Sequence, residues 1–137
     1  MVKNKTITIP LQAKLLREAF PNATVNTRFE RNLTFIDWLP SSPLGNRYRV
    51  RINAIFRNKI EVFVINPRPL ALALGQYKLP HVYCNKTQEL CLYYPKFKEW
   101  DFSKIILNTI IPWTMEWLFF YEIWLSTGQW YGKGIEH

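Results

Sequence analysis

The sequence predicts an α+β chain: a short helix, an antiparallel β-meander, an irregular segment holding the reactive side chains, then helices. Three observations predict it. Leu11, Leu15, Leu16, Ala19 and Phe20 recur at three- and four-residue steps, the period of an amphipathic helix. Tyr48, Val50, Ile52, Ala54 and Phe56 alternate with Arg47, Arg49, Arg51 and Asn53, the period of a half-exposed strand. From Ile105 to Leu125 the residues are mostly apolar, with Pro112 set among them, which reads as two helices meeting at a proline.

In chain order, Pro10 suits a first helical turn and Pro21 stops the helix over Leu11–Phe20, leaving Gln12, Lys14, Arg17 and Glu18 outside its apolar face. Thr24 to Leu39 is rich in β-branched and aromatic residues and reads as one long strand or two short ones. Residues 40–46 are a turn-rich loop. Arg57, Asn58 and Lys59 turn the alternating strand back into Ile60–Ile65, giving an antiparallel hairpin. Pro67 and Pro69 end sheet pairing, and Leu70–Leu74 reads as a further short strand. Asp101 or Ser103 caps a helix running to about Ile110. Pro112 opens or kinks a second helix to about Ser126, which Gly128 ends, and Gln129–His137 is an extended tail.

A chain of 137 residues fits one domain spanning 1–137. Its 48% hydrophobic content excludes a disordered segment. Glu116 and Glu122 argue against a membrane span in the apolar stretch, because ionisable groups in lipid are costly. A helix apolar nearly all round is buried or covered by a partner, so Trp117 and Trp124 are candidate partner contacts, a second copy of the chain included. No glycine-rich phosphate loop occurs, and no cofactor is expected. Met1–Pro10 lacks an apolar signal core, so a reducing cytoplasm with free thiols at Cys84 and Cys91 is expected.

The net charge of +8 is unevenly placed: residues 1–70 hold twelve Lys and Arg against four Asp and Glu, and the remainder six against six. Arg47, Arg49 and Arg51 therefore have two readings, a binding stripe for phosphate or an acidic partner, and the solvated face of a half-exposed sheet. No RNA-binding motif accompanies them, and nucleic acid is not the expected partner.

The candidate chemistry lies in residues 81–95, where polar Asn85–Glu89 separate two short apolar runs. Cys91 stands between Leu90 and Leu92, ten residues after His81. A cysteine so flanked is commonly a small core residue. With His81 it is also a candidate activated nucleophile. His81, Cys84, Cys91 and His137 together make a set that zinc would accept, but no Cys-x-x-Cys knuckle is present and no metal is expected.

The run Leu79-Pro80-His81-Val82-Tyr83, then Leu90-Cys91-Leu92-Tyr93, Glu99-Trp100, Ile110-Ile111-Pro112-Trp113, and Trp117-Leu118 to Thr127-Gly128-Gln129-Trp130 with terminal His137, resembles the ubiquitin-conjugating enzymes. It resembles most the conjugating-enzyme-like proteins of bacterial type II CBASS antiphage operons. The resemblance covers about Pro67–His137 and is topological before that. It implies a ubiquitin-conjugating-like fold and a cysteine-dependent acyl transferase. Cys91 would take the C-terminus of a cGAS-like nucleotidyltransferase as a thioester, in antiphage defence.

The family's His-Pro-Asn motif becomes His81-Val82-Tyr83 here, so the asparagine that serves the oxyanion is replaced. The donor, worth about 3–4 kcal/mol, could be the Tyr83 hydroxyl, Asn85, a backbone N–H or nothing. His81 could hold the loop through a backbone hydrogen bond, act as base for Cys91, or do neither. His137 matches the family's tail pattern with no role assigned. The competing reading is an inactive module that binds the nucleotidyltransferase or nucleic acid.

Overall fold

Helix α1 (Ile9–Ala19) starts where Thr8 can cap it, in a computed structural model that describes residues 5–93 and 99–132. Thr8 Oγ1 accepts from Leu11 N–H at 3.4 Å, and Pro10 sits in the first turn, where its missing N–H costs nothing. The buried face differs from the one the periodicity indicates. Ile9, Gln12, Ala13 and Leu16 are buried, while Leu11 is 43% exposed. Gln12 decides this. Its Nε2 donates to the Lys104 carbonyl (2.8 Å) and its Oε1 accepts from Ile106 N–H (2.9 Å). A fully satisfied amide can be buried at little cost, and it ties α1 to a segment more than 90 residues away.

Thr24–Leu39 resolves into two strands, β1 (Thr24–Arg28) and β2 (Asn32–Pro40). Phe29 and Glu30 between them both take positive φ (54° and 51°), as a tight hairpin turn requires. Strands β3 (Arg47–Ile55) and β4 (Lys59–Asn66) follow, and the sheet is an antiparallel meander in the order β1-β2-β3-β4. Period-two alternation puts Leu33, Phe35, Val50, Ile52, Val62 and Val64 on one buried face beneath the helices.

Leu70–Leu74 forms no strand. Two of its backbone groups bond side chains instead: Leu70 N–H donates to Gln88 Oε1 (2.8 Å), and the Ala71 carbonyl accepts from the Tyr121 hydroxyl (2.7 Å). The helix expected from Asp101 to Ile110 is also absent. The Asp101 carboxylate accepts from the Ser103 N–H and hydroxyl, a local turn that competes with helix nucleation. Only one 3-10 turn, Ile106–Asn108, follows.

Helix α2 (Ile110–Thr127) carries Pro112 in its first turn and ends at Gly128, whose φ of 74° suits a residue without a Cβ. Ile110, Thr114, Trp117, Leu118, Tyr121 and Trp124 form its buried stripe. Glu122 beside that stripe accepts from the Ser41 hydroxyl and, at 2.8 Å, from the Tyr48 hydroxyl, fastening α2 to the sheet. No helix among the described residues is long and apolar enough to cross a membrane.

Candidate active site

The ten-residue step from His81 to Cys91 is the register of a small hairpin. Val82 and Leu90 pair antiparallel and are both buried. On either side of that pair, Cys91 N–H donates to the His81 carbonyl (3.0 Å) and Tyr83 N–H to the Glu89 carbonyl (2.9 Å). Gln88 N–H closes the tip on the Cys84 carbonyl (2.7 Å). Leu90 N–H donates to the Val62 carbonyl at 2.9 Å, so the hairpin hangs on β4. The polar run Asn85–Glu89 supplies the loop, and the apolar residues on each side supply the anchors.

His81 occupies the left-handed region (φ 52°), a costly backbone for a residue with a Cβ. Surrounding contacts hold it there. Its carbonyl accepts a second bond, from Trp117 Nε1–H at 3.0 Å, and its imidazole packs on Trp130 with ring centroids 4.8 Å apart. Trp117 and Trp124, expected at a partner surface, are 4% and 3% exposed. Trp117 instead fixes the loop from inside. Trp130, in the run after Gly128, reaches back over His81 and Trp117. His137 lies outside the described residues.

Cys91 is half-buried, and its thiol donates to the Tyr93 carbonyl at 3.4 Å. Burial pushes the thiol above its ordinary pKa. A hydrogen bond from Tyr83 opposes the rise, and the Glu99 and Glu89 carboxylates add to it. The Tyr83 hydroxyl also donates to the Tyr93 carbonyl at 2.5 Å. One O–H donates once. In the thiol form it serves that carbonyl, and an ionised sulfur competes for it, so the tyrosine favours the thiolate. Burial and the neighbouring sulfur hold the Tyr83 phenol well above its usual range, so it remains a donor at any neutral pH. Tyr93 is pushed up to about 12, by burial first.

Asn85 is exposed at the hairpin tip, and its Oδ1 accepts from Leu79 N–H at 2.6 Å, holding the loop's entry. Cys84 is exposed at the same tip, where Thr87 and Lys86 N–H groups lower its pKa. Among the described residues, no three His, Cys, Asp or Glu side chains gather to hold a metal.

A cavity of about 640 Å³ is lined by Tyr83, Glu89 and Tyr93 of the hairpin segment together with Ile60, Trp100 and Phe102. Tyr83 and Tyr93, whose hydroxyl and carbonyl meet next to the Cys91 thiol, both belong to that lining. Glu89 in this lining has its pKa raised by burial and by Glu61. Of the residues named from sequence, the structure brings Cys91, His81 and Tyr83 together at the base of one hairpin. Sequence reasoning missed the roles of Trp117, Trp130 and Glu89, because each depends on which distant element packs against the hairpin.

Arg47 and Arg49 are exposed and Arg51 half-buried, all on the sheet face opposite the core. A family model described as "Type II CBASS E2 protein" matches residues 12–137. No curated protein matches the chain.

Proposed function

This chain belongs to the type II CBASS E2 protein family, and we propose that Cys91 carries an acyl group, as a thioester, in a ubiquitin-conjugating-like fold. The acyl donor is the C-terminus of a cGAS-like nucleotidyltransferase, and the setting is antiphage defence. The Cys91 thiolate attacks the activated carboxyl carbon and expels its leaving group. An amine then attacks the thioester, forming an amide and returning the thiolate. Activation of the carboxyl comes from another component.

The observation that carries this reading is the hairpin register. It presents Cys91 with its N–H fixed on the His81 carbonyl, the Tyr83 hydroxyl near enough to bond an ionised sulfur, and a cavity lined in part by Tyr83 and Tyr93. His81 acts as the loop holder, through its carbonyl. Tyr83 stands where the family's asparagine would and is the oxyanion donor best supported by the contacts, since a neutral phenol near the sulfur can donate to a developing oxyanion.

The test is co-expression with the operon's nucleotidyltransferase, followed by intact mass. A covalent adduct that thiol reagents release, that Cys91→Ala abolishes and that Cys84→Ser leaves intact is expected. The thiol's raised pKa favours a second reading, an inactive scaffold. Co-purification without adduct, in wild type and Cys91→Ala alike, would establish that reading instead.

A further inference from the structure

The sheet's outer face carries a feature that thioester chemistry does not use. Successive outward positions on a strand lie about 6.8 Å apart, twice the rise per residue. Arg47, Arg49 and Arg51 hold three such positions on β3. Register places Trp38 of β2 beside Arg49, and Phe63 of β4 beside Arg51. Trp38 is 39% exposed, unusually open for an indole. The Arg51 guanidinium lies over the Phe63 ring, 5.3 Å from its centroid, and the buried Arg51 Nε has no hydrogen-bond partner. Arg47 donates weakly to the Trp38 carbonyl at 3.4 Å.

Among the described residues, no carboxylate pairs with any of the three arginines. The two ion pairs present, Lys14–Glu18 and Lys59–Glu61, lie elsewhere, the second at the far end of this face. A row of like charges repels itself. An acidic protein would satisfy the charges but would leave the indole beside them unused. A duplex is not matched either, since a flat sheet face offers no helix or ribbon to a groove. An extended strand of nucleotides uses both features, because its phosphates meet the guanidiniums and a base stacks on the indole.

We propose that the outer sheet face, with Arg47, Arg49 and Arg51 in a row and Trp38 beside them, is a binding site for single-stranded nucleic acid. The site is independent of Cys91, which lies on a hairpin bonded to Val62 in the middle of β4.

The test uses the full chain and a labelled oligothymidylate or oligouridylate of about twelve nucleotides, within the span such sites cover, read by anisotropy across a salt series. Binding is expected to weaken steeply with salt. Replacing all three arginines by glutamine is expected to lower affinity at least tenfold and to reduce the logarithmic salt slope by about 2, near 0.7 per lost phosphate contact. The pair Arg47→Gln and Arg49→Gln leaves the half-buried Arg51 in place and should act in the same direction. Trp38→Ala is expected to cost about tenfold, and Cys91→Ala nothing. A triple variant of the exposed Lys14, Arg68 and Lys78, which removes the same charge elsewhere, should have little effect. Four results would overturn the proposal: no binding at low salt, equal loss in that control triple, no loss with Trp38→Ala, or competition by polyglutamate as strong as by the oligonucleotide.

Discussion

Cys84 and Cys91 sit seven residues apart in one hairpin, yet their surroundings differ in every respect that governs a thiol. Cys84 is at the tip, exposed, with backbone N–H groups pulling its pKa down. Cys91 is at the base, half-buried, with its thiol pushed up by desolvation. By ionisation alone Cys84 is the more reactive. By position Cys91 is the better placed, because it has a phenol donor beside it and neighbours that line a cavity. The difference teaches that this site favours a held thiol over an ionised one.

The largest expected effect separates the two outright. Cys91→Ala removes the covalent adduct completely and Cys84→Ser leaves its yield unchanged, read by intact mass. The reverse pattern would assign the chemistry to the tip.

Next in size is alkylation of the free protein. Near neutral pH, iodoacetamide should label Cys84 about tenfold faster than Cys91 or more, since the thiolate is the reacting form, as followed by peptide mass spectrometry. The sign with pH follows from the two shifts. The depressed Cys84 pKa means its rate levels off first. The raised Cys91 pKa means its rate is still climbing above the ordinary thiol range, so the ratio falls as pH rises. Equal rates at neutral pH would break the comparison.

Tyr83→Phe should widen the ratio several-fold by slowing Cys91 alone, because the phenol's hydrogen bond lowers that thiol's pKa and its loss raises it further. An unchanged Cys91 rate would remove Tyr83 from the site.

The smallest effect concerns support from beneath. Trp117→Phe keeps an aromatic side chain but deletes the N–H bond to the His81 carbonyl and part of the buried indole's volume. It should cost about 1–2 kcal/mol of unfolding free energy, measured by denaturant titration, and alter the Cys91 alkylation rate while sparing Cys84. A change confined to Cys84 would show that the indole bond does not hold the base of the hairpin.

Elements with a strong period were legible from residues alone. The alternation from Tyr48 to Phe56 and the turn that follows appear as β3 and β4, and Thr24–Leu39 as two strands. Two elements were not legible. Leu70–Leu74 has strand-like composition, but its backbone is claimed by Gln88 and Tyr121, one 18 and one 50 residues distant. Asp101 and Ser103 look like helix caps and instead bond to each other. The rotation of α1 was hidden for a related reason. Gln12 is a polar residue that becomes a core residue only when Lys104 and Ile106 arrive to satisfy it.

The candidate site divides along the same line. Local pattern marked the loop between His81 and Cys91, and the family resemblance singled out the two residues at its ends. Local pattern also set the arginine row, since period two is a property of one strand. Tertiary structure decided the burial of Cys91, the sinking of Trp117 and Trp124 into the core, the placing of Trp130 over His81, and the alignment of Trp38 with Arg49. Those depend on contacts between segments far apart in the chain, and desolvation, the largest influence on the Cys91 thiol, exists only once the segments have packed.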